Sequence, residues 1–484
     1  MIGISTNRTE YRNDIAEEIR LFLGLTEIVL TEEANSDSLE TVFDLQMERN
    51  GSRYELRATA GGVFVQDSFE LPNDASALLV KKIEKRRLKL ACYQLLKQLY
   101  PDVSTPWGSL TGIRPTKLFR ELSSDGEESA RRVFRETFDV SPEKTVLAAS
   151  ICAVQKPYIE SVRPNEIDLY VGIPFCKTKC LYCSFPSEVL SKNDRLTPYL
   201  HALQADIACG AEIAETQGLT VRSLYIGGGT PSVLSAAQLD ELLSFLLERY
   251  ASFGTECTVE AGRPDTIDRE KLDTLKRLGV TRVSVNPQTM NDETLRRVGR
   301  THTAADIVET YRLVREAGFD SVNMDLIAGL PGETPDDMRR TCAEIEKLAP
   351  DCLTVHSLAI KRSSRLKTEG TEFTLPDAAA AEEMTRIGAA CAENLGMRAY
   401  YMYRQKYMSG NLENVGYALP GKECVYNIDM MEETASILSH GAGTMTKRVF
   451  GGENRIERLP SPKDVPTYTA KLELLCERKR AFFS

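Results

Sequence analysis

No run of 18 apolar residues occurs anywhere in the 484-residue chain, so no membrane-spanning helix is expected. A basic excess is also missing. The 60 Lys and Arg are outnumbered by 70 Asp and Glu, a net charge of −10, and such a balance leaves no electrostatic footprint for nucleic acid. The short basic runs Lys81-Lys82 and Lys85-Arg86-Arg87 read as a solvated helix face. The first eighteen residues contain neither a basic n-region nor an apolar h-region; no secretory leader is expected, and the expected compartment is the cytoplasm. There is no pairing rhythm among nine of the twelve cysteines, which lie scattered among apolar residues. In a reducing compartment these are small core hydrophobes.

What is present is a chain with 42% hydrophobic and 27% charged residues, the balance of a globular protein. Its length suggests two to four domains. Residues 1–160 read as an accessory α+β domain. Alternating segments at 27–31, 42–45 and 53–57 predict short strands over the first 75 residues, and a long amphipathic helix follows over 75–100. Residues 161–375 change texture. Strands are expected at 167–173, 221–226, 257–260, 281–285, 320–326 and 353–358. Helices are expected between them at 199–216, 236–250, 269–278, 292–298, 304–317 and 335–348. Six strands joined mostly through helices predict a parallel sheet, closed or half-closed into a barrel. In such folds reacting groups gather at the carboxyl ends of the strands. Residues 376–484 lose that rhythm. A helix at 377–395 and a tyrosine-rich strand at 400–403 precede Gly/Asn-rich sequence that reads as loop, and a short helix ends the chain.

Three cysteines are not scattered. Cys176, Cys180 and Cys183 share one loop just after the first barrel strand. Tetrahedral zinc usually takes a fourth close ligand, and no His or further Cys lies nearby in sequence. Three thiolates suit a cubane cluster with one iron lacking a protein ligand. Zinc, or a structural cluster with a remote ligand, is the alternative that uses the same donors.

The Cys-x3-Cys-x2-Cys spacing, Tyr182 before the third cysteine, and the preceding Ile173-Pro174-Phe175 resemble the radical S-adenosylmethionine (SAM) superfamily. More narrowly they are similar to its oxygen-independent coproporphyrinogen oxidase-like group, over about residues 165–450. The resemblance implies a partial (β/α)6 barrel with an N-terminal α+β accessory domain and a small C-terminal extension. It also implies a 4Fe–4S cluster on Cys176, Cys180 and Cys183, whose open iron chelates SAM and reduces it to a 5′-deoxyadenosyl radical. By the same resemblance, the Gly228-Gly229-Thr230 segment contacts the SAM amino group, with Glu260 neutralising it. Gln288 and Asp325 would contact the ribose, and Arg300 would contact SAM. Ile327 and Ala359 would flank adenine by their backbone. Tyr170, Tyr182 and Met445 complete the implied cofactor contacts.

The implied reaction is oxidative decarboxylation of two propionates of coproporphyrinogen III to the vinyls of protoporphyrinogen IX, in haem biosynthesis. It needs an electron donor such as flavodoxin or ferredoxin, and an acceptor. Arg362, Arg365, Arg404 and Lys406 are candidate partners for the propionates. The chain departs from the decarboxylating pattern at Phe185, where a fourth cysteine is usual, and at Gly172, where histidine is usual. Phe185 resembles the haem-chaperone branch, but the His of that branch is absent from the stretch Tyr426 to Met431. A haem-binding chaperone, or a radical SAM enzyme acting on haem or another tetrapyrrole, is therefore the alternative.

Overall fold

The structure is a computed structural model that describes residues 1–24, 26–33, 38–112, 114–190, 195–361, 364–369, 374–405, 411–451 and 455–484. The chain divides into two compact units, Met1–Ala149 and Ser150–Ser484.

In the first unit five strands form one sheet in the order β2-β1-β3-β4-β5: β1 Ile2–Thr6, β2 Ile28–Leu30, β3 Thr41–Asn50, β4 Arg53–Ala60 and β5 Val63–Glu70. Strands β3 and β4 join through Gly51, whose φ of 66° suits a tight hairpin. Along β4, Tyr54, Leu56, Ala58 and Ala60 are buried while Arg57 and Thr59 face outward, the period-2 pattern of a half-covered sheet. The helix Ala77–Leu99 lies where the amphipathic pattern placed it, and it packs into the same core through Leu88, Leu95 and Leu96. The first 75 residues are not all strand and turn, however. A helix, Arg12–Leu23, sits between β1 and β2 and buries Ile15, Ala16 and Ile19. Ile15 and Ala16 lie four and three residues before Ile19, the spacing of one helix face, and the expectation of short strands missed them.

In the second unit the six expected strands are present: β6 Glu166–Ile173, β9 Thr220–Gly228, β10 Glu256–Glu260, β11 Arg282–Ser284, β12 Ser321–Ala328 and β13 Cys352–Ser357. Neighbours in that order pair in parallel throughout. A separate pair, β7 Phe175–Cys176 and β8 Glu188–Val189, brackets the cysteine loop. The alternate residues Ile167, Leu169, Val171 and Ile173 of β6 are all essentially inaccessible, as expected of a strand buried within the fold. Three connecting helices begin with reciprocal side-chain caps: Ser235 with Gln238, Thr303 with Asp306, and Thr334 with Asp337.

After the sixth barrel strand the expected helix is present as Ala378–Asn394 and so is the expected tyrosine-rich strand, but the sequence that follows is far more structured than the expected loop. Strands β14 Arg398–Tyr403 and β15 Asn414–Ala418 extend the sheet antiparallel beyond β13. The helix Val425–Glu432 follows. Strand β16 Ser436–His440 then pairs in parallel with β6, and β17 Met445–Phe450 and β18 Arg455–Pro460 complete that edge. The result is one eleven-stranded sheet in the order β14-β15-β13-β12-β11-β10-β9-β6-β16-β17-β18. The helix Leu472–Phe483 ends the chain as expected. No helix among the described residues is long and apolar enough to cross a membrane.

Candidate active site

A cavity of about 400 Å³ opens at the carboxyl ends of the barrel strands. The βα architecture dictates this placement, because strand ends and their following loops converge there. Cys176, Cys180 and Cys183 line it together with Tyr170, Tyr182, Gly228, Gly229, Thr230, Glu260, Gln288, Arg300, Asp325, Ile327 and Ala359. All but one of the residues expected to hold the cluster and SAM thus meet in one place. The exception is Met445, which begins β17, is 37% exposed and does not line this cavity.

The cysteine loop is tied down from several sides. Gly229 N donates to Ile173 O and Thr230 N to Phe175 O, each at 2.8 Å, and Thr230 Oγ1 lies 3.5 Å from Cys176 Sγ. A β-carbon at Gly229 would lie 2.5 Å from Phe175 O, so only glycine lets these segments approach so closely. On the far side Leu181 N donates to Val298 O at 3.0 Å, and Thr178 Oγ1 donates to Gly299 O at 3.1 Å. Arg263 braces the same hydroxyl from 2.7 Å. Burial pushes the Cys183 thiol up, and the neighbouring Cys180 and Cys176 add to it. A cationic iron cluster would relieve that mutual repulsion. Among the described residues no three His, Cys, Asp or Glu side chains converge on one ion. A cubane requires only one thiolate at each of three corners, so this donor set fits the cluster rather than mononuclear zinc.

Beside the cysteines Arg300 is buried, its Nη1 donating to Asn286 O at 2.6 Å and its Nη2 to Tyr182 Oη at 3.4 Å. Burial acts against its charge, but Tyr182 and Cys180 outweigh it and hold the guanidinium protonated. Gln288 adopts φ +69°, a left-handed conformation rare for a residue with a side chain. It is held there by two backbone bonds to β12, Gln288 N to Asp325 O at 2.8 Å and Ile327 N to Gln288 O at 3.0 Å. Such strain marks a position whose side chain must point one way. Buried polar atoms of Ser284, Asn286, Gln288 and Arg300 that line this cavity have no partner among the described residues. Unmet donors and acceptors at a cavity wall await a polar ligand, which fits a molecule with an amino acid end and a ribose.

Two carboxylates face this cavity in opposite electrostatic states. Burial raises Glu260 to about 7; Asp325 adds to the shift, while Tyr225 Oη, donating at 2.7 Å, opposes it. Burial would raise Asp325 as well, yet His356, Asn323 and Thr354 outweigh it and hold the carboxyl below its ordinary value. The His356 Nε2 to Asp325 Oδ2 distance is 3.7 Å, and Asn323 Nδ2 donates to Oδ1 at 2.8 Å. His356, Asn323 and Tyr225 were not anticipated from the sequence. Strand alternation could have found them: Asn323 and Asp325 share one face of β12, and Thr354 and His356 share one face of β13.

Part of the cavity wall is aromatic. Tyr170, Tyr225, Tyr401 and Tyr403 line it, and Tyr426, which does not, stacks on Tyr170 and Tyr225 with ring centroids 5.9 and 4.6 Å apart. The cations expected to serve propionates are elsewhere. Arg362 and Lys406 lie outside the described residues. Arg365 is exposed, and Arg404 is buried with Nη2 donating to Asn411 O at 3.0 Å; neither lines the cavity. Lys179 and Lys361 do line it.

The family described as the Radical SAM superfamily matches residues 170–345. The chain is 36% identical over 394 residues to the oxygen-independent coproporphyrinogen-III oxidase-like protein HemZ of Bacillus subtilis, covering 80% of this chain and 79% of that one. It is 32% identical over 236 residues to the heme chaperone HemW of the same organism, covering 48% of this chain and 61% of that one. Among solved structures, the coproporphyrinogen III oxidase HemN of Escherichia coli, a radical SAM enzyme, superposes with a TM-score of 0.52 at 24% identity. That match covers 67% of this chain and 73% of HemN, and it shows a shared fold. With its three-cysteine loop at the mouth of a six-stranded parallel half-barrel, the chain belongs to the radical SAM superfamily, whose members use a 4Fe–4S cluster and SAM, and within it to the group of HemN, HemZ and HemW.

Proposed function

We propose that the protein is an oxidoreductase that removes CO2 oxidatively from propionate side chains of coproporphyrinogen III, leaving vinyl groups. The observation that carries this reading is the cavity itself, where three thiols, a ring of polar strand-end groups and a broad tyrosine wall share one space. The relation to HemZ over four fifths of the chain supports a tetrapyrrole as the substrate class.

When bound, the cluster and SAM supply a 5′-deoxyadenosyl radical by one-electron cleavage of the S–C5′ bond. The chain's part is placement. Cys176, Cys180 and Cys183 hold three irons. The Gly228–Thr230 segment and Glu260 receive the amino group of SAM, Asp325 and Gln288 the ribose hydroxyls, and Arg300 its anionic end. Backbone groups of Ile327 and Ala359 flank the adenine. Asp325, ionised well below neutral pH, is an acceptor for hydroxyl donors throughout the physiological range. The stacked tyrosines offer an apolar face to a flat macrocycle, and Lys179 and Lys361 offer cations to its propionates. The substrate gives up a hydrogen atom from the propionate β-carbon, then one electron to an acceptor, as CO2 leaves. Reduced flavodoxin or ferredoxin in the cytoplasm is the proposed electron donor.

A second reading, a haem-binding chaperone, is favoured by Phe185, which is 64% exposed on the cysteine loop and stands where decarboxylating relatives carry a cysteine. One anaerobic reaction separates the two. Cluster-loaded protein is incubated with SAM, reductant, acceptor and coproporphyrinogen III, and products are read by mass spectrometry. Mono- and divinyl products with 5′-deoxyadenosine are expected. An unchanged porphyrinogen overturns the decarboxylase reading, and stoichiometric haem binding without turnover would put the chaperone in its place.

A further inference from the structure

The first unit carries a second cavity, of about 470 Å³, whose charge is opposite to that of the chain. Six cations line it: Lys82, Lys85, Arg86, Lys89, Arg114 and Lys117. A single carboxylate, Glu121, lines it with them. Four of the six come from one face of the helix Ala77–Leu99, at the helical spacing i, i+3, i+4 and i+7. Thr111, Gly112 and Arg114 line it as well, just ahead of the helix Pro115–Leu122. A basic face that looks like a solvated stripe in the sequence is thus one wall of a concave site.

The site is built rather than accidental. Lys89 is fixed by the fully buried Glu18 at 3.2 Å, and Thr111 Oγ1 donates to the same carboxylate at 3.2 Å. Arg86 lies over the Phe138 ring at 5.5 Å and has no hydrogen-bond or ion-pair partner among the described residues. Burial acts against its charge and Glu121 in its favour. A half-buried guanidinium with no anion in hydrogen-bond contact is costly to maintain, and gathering like charges around one hollow adds repulsion that an anionic ligand removes.

From this arrangement the geometry points to a binding site for a small phosphorylated organic molecule, of the nucleotide class, in the N-terminal unit. Phosphate rather than carboxylate follows from the donors. Four of the six cations are lysines, point charges suited to tetrahedral oxyanions, whereas planar carboxylates favour arginine forks. Leu110, Leu118 and Phe138 give the cavity an apolar floor for the non-phosphate part. Nothing in the radical chemistry uses these residues, so the inference stands apart from the proposed decarboxylation.

The test is isothermal titration calorimetry on the full-length, cluster-loaded protein, with inorganic pyrophosphate and then ATP as probes. Both are expected to bind at low ionic strength and to weaken as salt is added. Losing one charge-assisted contact in Arg86→Gln is expected to weaken binding by roughly ten- to a hundredfold. A second variant, Lys82→Gln with Lys85→Gln, alters two half-exposed lysines whose ion pairs with Glu121 and Asp14 are of the exposed kind that adds little stability, and is expected to weaken binding severalfold. SAM cleavage should be unchanged in both. Absence of pyrophosphate and ATP binding to the wild type, or equal affinity in both variants, overturns the site. Tighter binding of a single-stranded oligonucleotide than of ATP, in competition with pyrophosphate, would overturn the small-molecule occupant in favour of a nucleic acid strand.

Discussion

Glu260 gives the sharpest quantitative expectation. Its carboxyl is raised from 4.5 to about 7 by burial, with Asp325 adding to the effect. The folded, ligand-free protein therefore keeps this proton until near neutrality, while the unfolded chain releases it at acid pH. Its contribution to stability is fully present below about pH 4.5 and is lost as pH rises through 7, a change of at most about 3 kcal/mol for a shift of this size. A ligand group that donates hydrogen bonds to the ionised carboxylate offsets that loss. SAM affinity should therefore climb with pH across neutrality. Between pH 6 and pH 8 the ionised fraction goes from about one tenth to about nine tenths, and the dissociation constant should fall roughly tenfold. Glu260→Gln keeps the shape, and its side-chain amide can still accept from Tyr225, but it cannot ionise. It should remove the pH dependence and weaken binding at pH 8 by roughly ten- to a hundredfold. The assay is equilibrium binding of SAM to both proteins at matched pH values. Any titration of SAM itself is common to the two and cancels in their ratio. A ratio that stays constant from pH 6 to pH 8 refutes the assignment of Glu260 as the group that meets the SAM amine.

Other expectations concern the scaffold as much as the ligand. Cys180→Ala should abolish both the cluster absorbance and 5′-deoxyadenosine formation; retained cleavage of SAM would remove the loop from the chemistry. Gly229→Ala puts a methyl 2.5 Å from Phe175 O. It should cost about 1–3 kcal/mol and lower the iron content per chain, measured after anaerobic reconstitution. Arg222 and Asp429 form a buried ion pair, Nε to Oδ2 2.7 Å, at the amino ends of the barrel strands. Arg222→Ala should destabilise the second unit by about 3–5 kcal/mol in denaturant titration, because it strands a buried carboxylate. An unchanged midpoint would show that Asp429 finds another partner.

The barrel was legible because its signals are local. Each strand is a short apolar run, most of the helices have a side-chain cap, and Glu260, the Gly228-Gly229-Thr230 segment and, three residues short of its strand's end, Asp325 fall in the carboxyl-terminal halves of strands or just beyond, where βα folds place their chemistry. Of the strands beyond β13 only the tyrosine-rich β14 was legible; β15 to β18 were not, for a related reason. Ser436–His440 is five residues long and pairs with β6, some 270 positions earlier, so nothing adjacent in sequence announces it. Asn323 and His356 were missed in the same way. His356 is one histidine among four, and it becomes informative only once β12 and β13 are aligned and Asp325 is found next to it. The cationic cavity escaped notice because its helix face and the residues Thr111, Gly112 and Arg114 are separated in sequence, and each is ordinary when taken alone.

The chain segment from β15 to β16 joins the two sides of the half-barrel. It leaves the strand that flanks β13, passes through the helix Val425–Glu432, and arrives beside β6. On the way Tyr426 stacks against Tyr170 and Tyr225 of the first two barrel strands. These residues therefore act as a covalent clasp on an open ring. They set the span between the first and sixth strands without closing the sheet, and so fix the width of the gap that a flat ligand must enter. Cutting the backbone within this clasp, at an engineered protease site, would leave every cofactor-facing residue in place while freeing the ring to spread.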